Sequence, residues 1–113
     1  MTKPDEDVAR AQSYIRDHLQ QVTSPCDVAT ALNRSYNTLR KRFRHVTGVS
    51  MGRYIQQARI DRARQLLVET DDPIWVVCQS VGYASDSSGI RAFKRLTGMT
   101  MGQYRRRHRN GTE

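Results

Sequence analysis

Apolar residues recur along this chain at spacings of three and four, and no strand-length run alternates apolar with polar, so the pattern predicts an all-α fold. Val8, Ala11, Ile15, Leu19 and Val22, with Tyr14 beside them, line one face of a helix predicted from about Asp5 to Val22. Ser24 as cap, Pro25 at the first helical position and Asp27 three residues after the cap start a second helix, whose core face reads as Val28, Ala31 and Leu32. Asn33 tolerates the left-handed backbone that ends a helix, and Ser35 caps a third helix from Tyr36 to Val46 with Leu39, Phe43 and Val46 inward. Thr47 and Gly48 close it. Ser50 caps a long helix from Met51 to Glu69, in which Tyr54, Ile55, Ala58, Ala63, Leu66 and Leu67 are available for packing. Asp71, Asp72 and Pro73 break the chain and open a helix from Pro73 to Val81; Gly82 turns it, Ser85 caps the next from Asp86 to Leu96, and a last helix runs from Met101 to about His108.

The chain also matches itself. Residues 35–54 overlie 85–104 with identities at Ser35/Ser85, Phe43/Phe93, Thr47/Thr97, Gly48/Gly98, Met51/Met101, Gly52/Gly102 and Tyr54/Tyr104. Upstream, Val28 to Asn33 aligns with Val77 to Gly82, one step out of phase, so the second copy carries one more residue, which belongs in a turn. Two short helices joined by so tight a turn cross steeply, as in a helix-turn-helix. The predicted organisation is seven helices: a first helix-turn-helix subdomain over 1–50, a linker helix over 51–70, and a second subdomain with a basic C-terminal helix over 71–113.

Composition narrows the chemistry. No run of 18 apolar residues is present, so no membrane span is predicted, and the polar, acidic stretch from Met1 to Arg10 is no secretion signal; the expectation is a cytoplasmic protein. An enzyme is disfavoured: 113 residues leave little room for a large core, His18, His45 and His108 show no ligand spacing, and there is no nucleophile elbow or phosphate loop. Cys26 and Cys78 lack zinc-site spacing and are read as small buried apolar residues, so neither metal nor cofactor is expected. The net charge of +8 asks for a polyanionic partner, and its sources recur: Arg34, Arg40, Lys41, Arg42 and Arg44, then Arg91, Lys94 and Arg95, then Arg105, Arg106, Arg107 and Arg109. Aromatic content of 7%, with Phe43 and Phe93 assigned to cores, gives little for the stacking on which RNA recognition relies. Double-stranded DNA is the leading partner; RNA, or a protein such as RNA polymerase, is the alternative.

The second copy, Val81-Gly82-Tyr83 followed by Arg91-Ala92-Phe93-Lys94-Arg95-Leu96-Thr97-Gly98-Met99-Thr100 and then Tyr104-Arg105, resembles the C-terminal signature of the AraC/XylS family of bacterial transcription regulators, and the first copy agrees more loosely. The resemblance spans roughly Val8 to Arg107. It implies two helix-turn-helix units reading successive major grooves on one face of an asymmetric DNA site, with the chain binding as a monomer. A helix of about 19 residues is roughly 28 Å long, close to the ~34 Å between successive major grooves. By position, the resemblance assigns base contacts to Asn37, Arg40 and Lys41 in the first unit and to Ser87, Ser88, Ile90 and Arg91 in the second. Tyr36, Thr38, Arg44, Asp86, Lys94, Arg95, Arg105 and Arg106 are assigned to the phosphates. One position departs: Gly89 stands where the family has a large apolar residue and the first copy has Leu39. The sequence therefore predicts that Gly89→Leu stabilises the second unit unless Ile90, Met99 or Met101 has already filled the space, in which case leucine overpacks it.

Overall fold

The computed structural model describes residues 3–22 and 24–110, and among them the regular structure is helical throughout. The elements are α1 (Lys3–Asp17), α2 (Pro25–Ala31), α3 (Tyr36–Thr47), α4 (Met51–Glu69), α5 (Ile74–Ser80), α6 (Asp86–Thr97) and α7 (Met101–Asn110). They form two compact units that divide within α4, between Ala58 and Arg59.

In the first unit, Val8, Ala11, Ile15, Leu19 and Val22 are all buried, together with Val28, Ala29, Leu32, Leu39, Phe43, Met51 and Ile55. The α-helix itself is shorter than the apolar pattern suggests. It ends at Asp17, and the chain continues as a turn in which Gln21 and Val22 both donate to the His18 carbonyl. Leu19 and Val22 stay in the core because that turn keeps them on the inner side. On α2 the inner residues are Val28 and Ala29, with Leu32 buried at its C-cap; Ala31 is exposed, contrary to the sequence reading. Leu39 and Phe43 anchor α3, but Val46 is 42% exposed, since the core stops at Phe43.

The turn chemistry is the same in both units. Asn33 adopts φ 59°, and Arg34 N–H reaches back to the Ala29 carbonyl at 2.9 Å while Asn33 N–H bonds the Thr30 carbonyl. In the second unit Gly82 adopts φ 98°, with Tyr83 N–H on the Cys78 carbonyl and Gly82 N–H on the Gln79 carbonyl. Both are left-handed closures that satisfy the last carbonyls of a short helix. The connection from α5 to α6 is one residue longer than that from α2 to α3, as the phase shift of the repeat predicts.

The second core comprises Ile60, Ala63 and Leu67 of α4 with Val77, Cys78, Val81, Phe93 and Met101. Pro73 is the cap of α5 rather than its first helical residue. Tyr54 meets Phe43 edge-on at 5.3 Å, and Tyr104 meets Phe93 at 5.5 Å, one such pair in each unit. The cysteines differ from their shared reading: Cys78 is buried, whereas Cys26 is exposed. No gap lies at Gly89. It is buried, and a Cβ there would stand 2.7 Å from Cys78 Sγ, 3.0 Å from Tyr83 Cδ2 and 3.2 Å from Cys78 Cβ. The space is occupied by Cys78 and Tyr83, not by Ile90, which is 40% exposed.

Candidate nucleic-acid interface

Helix α3, the second helix of the first helix-turn-helix, is started by Ser35, whose Oγ accepts from Thr38 N–H. Burying Leu39 and Phe43 turns the opposite face outward, and Tyr36, Asn37, Thr38, Arg40, Lys41 and Arg44 are all exposed. Arg40 Nε lies 3.5 Å from Asn37 Oδ1, one helical turn back, a long contact that brings a guanidinium and an amide to the same patch of surface. Arg40, Lys41, Arg44, His45 and Gly48 line an open cleft. His45 is the member of that cleft that the sequence did not single out, and its place four residues after Lys41 on the same helix was the available signal. Arg34, by contrast, has its charge paired with Asp7 at 3.3 Å.

In α6 the same construction recurs. Ser85 Oγ accepts from Ser88 N–H at 3.2 Å and lies 3.0 Å from Ser88 Oγ. Ser88 is half-buried and joined to the cap, while Asp86, Ser87, Ile90, Arg91, Lys94 and Arg95 are exposed. Asp86 sits in the first turn, where a carboxylate complements the positive end of the helix dipole. That carboxylate has the wrong sign for a phosphate, so Asp86 could serve a phosphate only through its backbone N–H.

The basic tail separates into two kinds of residue. Arg106 and Arg107 are exposed. Arg105 departs from the sequence assignment: half-buried, it donates from Nε to the Leu67 carbonyl at 2.9 Å and from Nη2 to the Thr70 carbonyl at 3.2 Å. Arg109 Nη1 also reaches the Thr70 carbonyl and pairs with Asp71 at 2.7 Å, which holds the Asp71 carboxyl below its ordinary pKa. A run of arginines gives no sequence sign of which ones face carbonyls. Arg59 of α4 lies over the Tyr83 ring, its guanidinium carbon 5.4 Å from the centroid, and burial lowers the guanidinium pKa. Burial likewise raises the Tyr83 phenol and the Cys78 thiol.

Among the described residues no His, Cys, Asp and Glu cluster could hold a metal ion, and no helix is long and apolar enough to cross a membrane.

Residues 28–107 match the family model described as a helix-turn-helix domain. A Streptomyces antibioticus protein described as an AraC-like transcription regulator is 32% identical over 102 residues, covering 90% of this chain and 34% of that protein. The RCS-specific HTH-type transcriptional activator RclR of Escherichia coli (strain K12) is 36% identical over 92 residues, covering 81% of this chain and 31% of its own. This chain thus spans about a third of the length of these relatives. Among solved structures, the C-terminal domain of AraT, a response regulator from Geobacillus stearothermophilus, superposes with a TM-score of 0.86 at 31% identity, covering 93% of this chain and 88% of that one. The DNA-binding domain of AdpA, crystallised with a target DNA, shares the fold with a TM-score of 0.83 at 24% identity, covering 94% of this chain and 97% of that one.

Proposed function

The chain belongs to the AraC-type helix-turn-helix family of transcription regulators, and from that premise we propose that it binds double-stranded DNA sequence-specifically through α3 and α6, each entering a major groove of one asymmetric site. The observation that carries this reading is the recurrence of one device. In each unit a serine-capped helix follows a left-handed turn, buries a phenylalanine, and presents arginine with small polar side chains to solvent.

Arginine offers a two-pronged donor to guanine and asparagine a two-pronged partner to adenine, which gives Arg40, Arg91 and Asn37 the strongest base-reading chemistry. Lys41 adds a long, single-point donor, Ser87 and Ser88 add short ones, and Ile90 supplies an apolar contact for a thymine methyl. Tyr36, Thr38, Arg44, Lys94, Arg95 and Arg106 serve the phosphates and fix the register. Because the two helices differ in every outward residue that could read a base, one monomer suffices and the site has no palindrome.

The test is selection of bound sequences from a random duplex library, followed by titration of the best duplex at several salt concentrations. If six to ten phosphates are neutralised, affinity falls by roughly 10³ to 10⁵ between 50 and 200 mM salt. A flat salt response, or tighter binding to RNA than to duplex DNA at matched salt, refutes the proposal. RNA or a protein surface then becomes the target.

A further inference from the structure

The closing helix of the second unit is held in a way that the repeat does not foretell. Arg105 occupies the position that Ile55 holds in the first copy, where Ile55 is buried among apolar neighbours. In α7 that position carries a guanidinium whose Nε and Nη2 bond the Leu67 and Thr70 carbonyls, at and just beyond the last turn of α4. Carbonyls in this place lack partners within their helix and lie at its negative end, so a cation with two donors suits them. The helix so tied is also joined to the recognition helix: Tyr104, the residue before Arg105, meets the fully buried Phe93 of α6 edge-on. Phe93 lies between Arg91 and Lys94 in sequence and roots the helix that presents them.

We propose that Arg105 is a positioning residue for the second recognition helix and not a phosphate contact. It fastens α7 to the end of α4, and through Tyr104 and Phe93 this fixes the tilt at which α6 offers Arg91 to a base edge. The inference rests on the DNA-binding reading above. Arginine is required for its geometry: the guanidinium supplies two donors in one rigid plane, whereas lysine supplies the same charge as a single point. Charge and positioning therefore make opposite predictions for Arg105→Lys.

The experiment uses the full chain with Arg105→Lys, Arg105→Gln and Arg106→Gln, and reads affinity for the selected duplex against salt, the selected motif, and amide exchange of the free protein. Both Arg105 variants should bind about tenfold more weakly with an unchanged salt slope, and the loss of sequence preference should fall only on the half-site read by α6. Arg106→Gln should lower the slope by about one unit and leave the motif intact. In the free protein, Arg105→Lys should speed exchange across 86–97 and 101–108, and Arg106→Gln should not. The proposal is overturned if Arg105→Lys binds like the unaltered chain while Arg105→Gln loses a unit of slope, which is the signature of a phosphate contact. Equal loss at both half-sites overturns it too, because that is general destabilisation. If the unaltered chain binds no duplex, the DNA-binding reading falls and the positioning role with it; the exchange measurement still decides whether the clamp exists.

Discussion

Replacing Gly89 is the sharpest test of how the second unit is packed, because sequence and structure predict opposite signs. The repeat sets Gly89 against Leu39 and predicts that leucine stabilises; the structure places a new Cβ 2.7 Å from Cys78 Sγ and 3.2 Å from Cys78 Cβ. The sulfur can swing about one torsion only, and it already lies 3.9 Å from Met101 Sδ, while Cys78 Cβ is fixed by the α5 backbone. Alanine gains about 1 kcal/mol of helix propensity over glycine, whereas forcing a methyl into a filled core costs about 1–3 kcal/mol. Gly89→Ala should therefore be destabilising by up to about 2 kcal/mol, and Gly89→Leu by more. At roughly 4–8 °C per kcal/mol for a small domain, differential scanning calorimetry resolves the alanine variant. Cys78→Ala removes the closest obstacle, so Gly89→Ala should cost less in that background, with a coupling of about 1 kcal/mol in the double-mutant cycle. A rise in melting temperature for Gly89→Ala, or strict additivity with Cys78→Ala, would refute the close approach.

Other outcomes follow from the turns, the outward faces and the buried acids of the second unit. Asn33→Ala should lower stability by about 1–2 kcal/mol, because alanine resists the left-handed backbone at φ 59°, while Asn33→Gly should be close to neutral; urea unfolding distinguishes them. Arg40→Ala and Arg91→Ala should each cost about 1–3 kcal/mol and relax preference at opposite ends of the selected site, and an unaltered motif would remove both from the base-reading set. The Cys78 thiol and Tyr83 phenol are raised above their ordinary values of 9.0 and 10.0, chiefly by burial. Their contribution is complete below pH 9.0 and is lost as pH climbs through the folded-state values, so stability should decline in alkali. Cys78→Ala should make that decline shallower in a series of melts across the alkaline range.

What could be read from the sequence was whatever short-range chemistry decides. Helix α4 runs from Met51 to Glu69 as its cap and apolar spacing predict, and Ser35, Ser85, Asn33 and Gly82 act where their own conformational preferences put them. The outward faces of α3 and α6 followed from the helical period once the phenylalanines were assigned inward. Features fixed by a distant neighbour were misread. Ala29 rather than Ala31 is buried because only one of two similar alanines meets the core, and Val46 is exposed because the core ends before it. Arg105 looked like one more charge in a basic run, since donors to a carbonyl and donors to a phosphate have the same composition; its alignment with Ile55 was the usable sign that the position faces inward. Gly89 looked like a hole because a sequence repeat compares one position with one position, whereas its space is filled jointly by Cys78 and Tyr83.

That joint filling makes the two halves of the duplication non-interchangeable. The first copy sets Leu39 in a core with Ala29, and the second sets Gly89 against the thiol of Cys78 on α5 and the ring of Tyr83, which lies in a connection one residue longer. Grafting α6 into the first unit would leave a side chain missing where Leu39 now packs, and grafting α3 into the second would drive a leucine into Cys78 and Tyr83. Re-engineering this chain to a new operator is thus a matter of repainting the solvent side of each helix in place. Whole-helix exchange, the natural strategy for a duplicated module, would trade specificity against folding.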